Sequence, residues 1–154
     1  MPNWCRNRVT ISSNNYDDDS QFKELVKKFK SDRPFNSILP QPDWKNIKNE
    51  DGELPVVREQ KNQDGEVIFT TSEFPKSGKN DDRWYDWANT YWGTKWDIHD
   101  IEVDEDEEYA EFEFETAWCP AEGIFNKIKQ DYPDVAISWF YDEPGCELAG
   151  YLPN

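Results

Sequence analysis

Tyr109-Ala110-Glu111-Phe112-Glu113-Phe114-Glu115-Thr116-Ala117-Trp118 is the stretch that decides the fold. Ala110, Phe112, Phe114, Thr116 and Trp118 fall on one face of an extended chain, and Glu111, Glu113 and Glu115 fall on the other. A period of two with one apolar and one charged face is the signature of a strand that packs on a core with one side and meets solvent with the other. Upstream, Ile98–Val103 reads as its hairpin partner, joined through an acidic turn at Asp104–Glu108.

Downstream, Pro120 is placed as the first residue of a helix, where a missing N–H costs nothing. Ile124, Phe125 and Ile128 give that helix a buried stripe, and Pro133 ends it. Val135–Asp142 follows as a strand with Val135, Ile137, Trp139 and Tyr141 on one side. Pro144-Gly145 turns the chain into a last short strand, Cys146–Leu152.

At the other end, Cys5–Ser12 reads as a strand with Cys5, Asn7, Val9 and Ile11 on one face and Arg6, Arg8 and Thr10 on the other. Phe22, Leu25, Val26 and Phe29 keep helical spacing, with Lys23, Lys27, Lys28 and Lys30 outside. Residues 32–81 are broken by Pro34, Pro40, Pro42, Pro55 and Pro75 and carry turn signals at Asp51-Gly52 and Asp64-Gly65. They read as a long insertion, with a short hairpin strand over Glu66–Thr71, that packs through Ile38, Leu39, Trp44 and Phe69. Asp81-Asp82 then caps a short helix with Trp84, Trp87, Ala88 and Tyr91 as its apolar stripe, stopping at Gly93. Most of the aromatic group Trp84, Trp87, Tyr91, Trp92 and Trp96 reads as core. The alternative is a surface pocket just past the helix at Trp92 and Trp96, a small-ligand cleft between this segment and the insertion.

The resulting order, β-α-(insertion, short helix)-β-β-α-β-β, contains the split β-α-β unit twice. That predicts an α+β, ferredoxin-like sandwich: an antiparallel sheet with two helices on one face, a long insertion after the first helix, and residues 1–154 forming a single domain with insertion 32–81.

Composition narrows the function. The 154 residues carry a net charge of −16, and 16% of them are aromatic, including eight Trp. Residues 82–154 alone hold nineteen Asp and Glu against four Lys and Arg. Nucleic-acid affinity comes mostly from cations neutralising phosphates, so direct binding to nucleic acid or to an anionic membrane is not expected. A basic protein surface, or a site built for nucleic acid, is the natural counterpart. Three cysteines at 5, 119 and 146 do not make a disulfide framework. No apolar run near the N-terminus suggests a signal peptide, and none reaches the ~20 residues of a membrane span, so a cytoplasmic location is expected.

Three motifs stand out together: Pro2-Asn3-Trp4-Cys5 with Asn7, Trp92-Gly93-Thr94-Lys95-Trp96-Asp97, and Phe114-Glu115-Thr116-Ala117-Trp118-Cys119-Pro120. Their order and spacing resemble the YubB-type ferredoxin-like domain family of phages and plasmids. The resemblance covers the ends and the second half of the chain and implies the ferredoxin-like fold and an origin on a mobile element. It transfers no catalytic residue.

Between Asp100 and Glu115, ten of sixteen residues are acidic and none is basic. Glu105, Asp106, Glu107, Glu108, Glu111, Glu113 and Glu115, with Trp44 of the insertion, are the candidate partner-binding residues. A solvated acidic face, partly paired with Arg6 and Arg8 of a neighbouring strand, is the plain alternative. Asp104-x-Asp106-x-Glu108 begins like a calcium loop, but Tyr109 stands where such a loop needs Gly. Cys5, Cys119, Cys146 and His99 are zinc-ligand types without supporting spacing. Cys119 at a helix start would have a lowered thiol pKa and could pair with His99 as a nucleophile; the plain alternative is that it only fills the cap position. No catalytic residue, metal or cofactor is assigned. The expected function is that of a non-catalytic acidic interaction protein, phage- or plasmid-encoded, that binds a host protein with a basic surface. A nucleic-acid mimic and a small-ligand-binding or cysteine-dependent enzyme domain are the alternatives.

Overall fold

A computed structural model describes residues 2–153. In chain order the elements are β1 (Trp4–Ser13), α1 (Ser20–Phe29), α2 (Pro34–Ile38), β2 (Val56–Lys61), β3 (Val67–Phe74), β4 (Lys79–Asn80) and α3 (Arg83–Tyr91). There follow β5 (Glu102–Glu105), β6 (Tyr109–Ala117), α4 (Glu122–Asp131), β7 (Val135–Glu143) and β8 (Leu148–Tyr151). The chain forms two compact units: one takes the part up to Pro40 and from Trp87 onward, the other is Gln41–Asp86.

The first unit is built on a five-stranded antiparallel sheet in the order β5-β6-β1-β7-β8. With β8 set aside, this is the strand order that two interleaved split β-α-β units produce, and the fold is ferredoxin-like. The alternation of β6 translates directly: Ala110, Phe112, Phe114 and Thr116 are buried, while Glu113 and Glu115 are exposed and Glu111 is half-buried. β1 repeats the pattern with Cys5, Asn7, Val9 and Ile11 inward.

Helices α1 and α4 cover this inner face. Phe22, Leu25 and Phe29 of α1 and Ile124, Phe125 and Ile128 of α4 join Val9, Phe112, Phe114 and Trp139 in one core. Phe29 stacks on Phe112 with ring centroids 4.6 Å apart, and Trp139 meets Phe114 edge-on at 5.7 Å. Each fully buried side chain of this size contributes roughly 1.5–3 kcal/mol by leaving water. Asn7 is the polar member of this layer. Its Oδ1 accepts from Trp139 Nε1 at 2.9 Å, and its Nδ2 donates to Thr116 Oγ1 at 2.9 Å and to the Cys5 carbonyl at 3.1 Å. Glu143 is also buried. Its Oε2 accepts from the Cys146 amide, while its Oε1 has no partner.

Several sequence expectations need correction. The segment at Ile98 is not a strand: Ile98 is buried in a loop held by Asp97, and pairing begins at Glu102. The acidic turn is shorter than read, because β5 runs through Glu105. Trp118 lies outside β6, 49% exposed, with φ +72°; the left-handed turn there rotates its side chain out of the inward series. That turn also delays the next helix. The Cys119 amide bonds the Ala117 carbonyl and Thr116 Oγ1 donates to the Cys119 carbonyl, so α4 starts at Glu122 behind Ala121, not at Pro120. Pro144–Cys146 forms a 3-10 turn, which shortens the last strand to Leu148–Tyr151.

Residues 34–38, read as part of the insertion, form α2, and Phe35 and Ile38 belong to the core. In α3 only Ala88 is fully buried, while Tyr91 is 53% exposed. Trp92, one of an aromatic group read mostly as core, is 1% exposed and donates its Nε1–H to the Leu39 carbonyl at 2.8 Å. The helix ends as expected at Gly93, whose φ of +88° is a left-handed conformation that glycine adopts without steric cost.

The second unit holds a separate three-stranded sheet, β2-β3-β4. The hairpin strand expected at Glu66–Thr71 is β3, extended to Phe74. Phe69 is half-exposed rather than buried. The anchor of this unit is Arg83. Its guanidinium bonds the Asp81 carboxylate at 2.8 Å from both Nε and Nη2, donates to the Trp44 carbonyl at 3.0 Å, and sits 5.0 Å from the Trp44 ring centre. The same guanidinium holds the Asp81 carboxyl below its ordinary pKa.

Candidate functional site

The outer face of the five-stranded sheet carries no helix residue of the core. Reading across the strands, Glu102 of β5 faces Glu113 of β6, which faces Arg8 of β1, then Phe140 of β7 and Tyr151 of β8. One row away run Asp104, Glu111, Thr10 and Ser138, and on the other side Glu115, Arg6, Asp142 and Ala149. Residues directly opposite in an antiparallel pair share a face and stand ~4.5–5.5 Å apart. Glu102/Glu113 and Asp104/Glu111 are therefore like-charged pairs set side by side, an arrangement that opposes pairing of β5 with β6.

The face is partly paired. Arg8 Nε lies 3.4 Å from Glu113 and 3.8 Å from Glu111, whereas Glu105, opposite the inward Ala110, lies on the helix side of the sheet and bonds Lys30 of α1. Glu102, Asp104 and Glu115 form no ion pair among the described residues. The concentration of negative charge has a direct consequence at the hairpin. The carboxylate of Asp104, then desolvation, then Asp106 and Glu111 raise the Tyr109 phenol above its ordinary pKa.

The seven acidic candidates from the sequence thus gather on one hairpin, but not in one role. Glu111, Glu113 and Glu115 point to the open face. Asp106 instead builds the turn: its Oδ1 accepts the Glu108 amide at 2.7 Å and the Tyr109 amide at 2.9 Å, which leaves less of it for a cation. Glu107 and Glu108 are exposed at the tip. Trp44 belongs to the second unit, where its Nε1–H donates to Gln41 at 2.9 Å.

Sequence reasoning missed a groove on this face. A cavity of about 750 Å³ is lined by Trp4, Arg6, Arg8, Trp96, His99, Asp100, Glu102, Glu113, Glu115, Phe140 and Asp142, among others. The loop between α3 and β5 forms one wall. Thr94 fixes that loop by donating from Oγ1 to the Ala117 carbonyl at 3.1 Å. Asp97 fixes it by accepting the Phe35 amide at 2.8 Å and the Asn36 amide at 3.0 Å. Trp4 and Trp96 meet at the rim, 41% and 38% exposed, with centroids 6.0 Å apart. Trp4 was legible, since it continues the outward series of Arg6 and Arg8 by one step of two. The sequence marks Trp96 as a candidate for a surface pocket, but its place opposite Trp4 was not legible, because it depends on a loop closed by contacts distant in sequence.

The cysteines sit elsewhere. Cys119 does not cap α4; that place is held by Ala121. Its thiol donates to the Gly93 carbonyl at 2.9 Å. Desolvation, followed by the nearby Glu122 carboxylate, raises its pKa, where the sequence suggested a lowered one. His99 lines the groove, and Cys119 does not. No group of three or more His, Cys, Asp or Glu able to hold a metal ion occurs among the described residues. Cys5 is fully buried, and burial pushes its thiol up to about 11 from an ordinary 9.0. The raised pKa means that the folded protein resists forming the thiolate. The stability that this group contributes is complete below pH 9 and is lost as pH rises from about 9 to about 11. Urea denaturation across that window is expected to show the decline, and Cys5→Ala to remove that component.

An antiparallel sheet of this order, with both helices on one face and an open charged face on the other, defines a ferredoxin-like domain. Residues 91–153 match the family model described as "Ferredoxin-like domain in Api92-like protein". Those residues supply β5 to β8, α4 and the groove loop. Comparisons with curated proteins and with solved structures gave no match. Among the described residues, no helix is long and apolar enough to cross a membrane.

Proposed function

We propose that this is a non-catalytic interaction protein that binds the basic surface of a host protein through the outer face of β5, β6 and β1. The motif resemblance supports an origin on a phage or plasmid, with the host cytoplasm as the place of action. The observation that carries the reading is the pair of like-charged cross-strand contacts, Glu102/Glu113 and Asp104/Glu111. Each costs stability, and a merely solvated face has no need of either.

The test follows from that cost. Glu102→Lys and Asp104→Lys replace repulsion by attraction, so each is expected to raise unfolding stability, by up to about 1 kcal/mol. The same changes are expected to weaken binding of a partner captured from host lysate by about tenfold or more. Binding of that partner should also fall steeply between low and high salt. Salt-insensitive binding that survives Glu111/Glu113/Glu115→Gln would end the proposal.

A second reading, mimicry of nucleic acid, is favoured by the way β5 doubles the acidic column. Glu102, Asp104, Glu111, Glu113 and Glu115 occupy about 13 Å of strand, where a DNA duplex presents about eight charges. Competition separates the two: a partner displaced by duplex DNA uses its nucleic-acid site, and one that is not displaced supports the first reading.

A further inference from the structure

We propose that the Trp4–Trp96 end of the groove receives an arginine side chain of the basic partner, with the guanidinium over indole and paired to carboxylate. This deepens the binding reading above and rests on it. Three observations lead to arginine.

The first is availability. Trp4 and Trp96 are both more than a third exposed while lining a concave site, a poor use of large apolar rings unless something covers them. The second is charge. Asp100, Glu102, Glu115 and Asp142 line the groove and form no ion pair among the described residues; Arg6 is the only cation in the row of Glu115 and Asp142, and it too forms none. Asp97 is set apart because its oxygens are committed to the Phe35 and Asn36 amides. The unpaired balance is negative, and a cation restores it.

The third is that one cation already lies on a ring inside the groove and another beside it. Arg8, which lines the groove, lies 5.9 Å from the Phe140 ring centre; Lys95, which does not line it, places Nζ 4.2 Å from the centre of Trp96, a ring that still remains 38% exposed. A planar guanidinium stacks on indole and offers two parallel N–H groups to a carboxylate, which an ammonium cannot do. The cavity is large enough for several residues of a partner segment, so the arginine anchors a short stretch rather than binding alone.

The experiment uses the full chain and two unstructured peptides of equal length and charge, one with arginine and one with lysine, titrated calorimetrically at low salt. The arginine peptide is expected to bind about tenfold more tightly. Trp4→Ala and Trp96→Ala are each expected to bring it to the level of the lysine peptide. Equal affinity of the two peptides for the unaltered protein overturns the inference without needing any variant. So does a preference that survives both tryptophan changes. If both peptides bind equally and lose affinity in Glu113/Glu115→Gln, the arginine site falls while the acidic-face reading stands. If neither binds, both fall.

Discussion

Gly123→Ala is expected to destabilise the protein by about 3 kcal/mol or more, lowering the melting temperature by roughly 6–12 °C. Gly123 lies in the first turn of α4, where a Cβ would stand 1.8 Å from the Tyr91 carbonyl oxygen, 2.6 Å from its carbon and 3.0 Å from the Trp92 carbonyl carbon. All three are backbone atoms, so no side chain can swing aside. The Gly123 amide also donates to the Trp92 carbonyl at 3.1 Å, and any shift that relieves the clash stretches this bond. The end of α3 and the start of α4 are thus packed backbone to backbone, with Trp92 sealed between them and the core. A domain of this size has a total stability of about 5–15 kcal/mol, so the variant would be only marginally folded in the lower part of that range. At Gly65, by contrast, a Cβ meets nothing within 4 Å, and Ala there is expected to cost only the ~1 kcal/mol of its left-handed φ of +81°. Thermal denaturation of the two variants side by side checks the claim. Similar melting temperatures would show that the helix junction yields more readily than its geometry implies.

Asn7→Leu is the second large effect, expected at about 2–4 kcal/mol. The substitution leaves the Trp139 indole N–H without an acceptor at a site that is 0% exposed, and it takes from Thr116 Oγ1 its donor. A buried donor that loses its partner costs about 1–3 kcal/mol, whereas removing both partners costs less than the sum of the two changes. A double-mutant cycle with Trp139→Phe should therefore show coupling of about 1–2 kcal/mol in urea denaturation. Additive costs would mean that the Asn7–Trp139 hydrogen bond contributes nothing beyond packing. Because Asn7 lies in the middle of the central strand, this network also holds β1, β6 and β7 in the register that sets Arg6 beside Glu115 and Arg8 beside Glu113.

The two readings of the acidic face meet in one physical contrast. Arg8 pairing with Glu111 and Glu113 is what a solvated face would show, and exposed pairs of this kind are worth little. The repulsive pairs across β5 and β6 run against stability, and they are placed there by a strand that sequence reading put elsewhere. The charge that argues most for binding is therefore the part contributed by tertiary pairing.

The chain's local patterns determined a good deal. Alternation in β6 and β1 fixed which residues face the core, because side-chain direction in a strand depends only on parity. Helical spacing at Phe22, Leu25 and Phe29 and at Ile124, Phe125 and Ile128 fixed both covering helices for the same reason. The split β-α-β order followed from the succession of these elements. What parity and spacing cannot carry is position set by contacts distant along the chain. Trp118 breaks its own series because a left-handed turn intervenes, and Trp92 is buried because α4 and the Leu39 carbonyl close over it. Ile98 leaves the sheet because Asp97 is tied to the amides of α2, and Trp96 reaches Trp4 only through that same loop. Local periodicity reports the direction of a side chain, whereas the groove and its two tryptophans depend on where separate segments meet, and only the folded chain decides that.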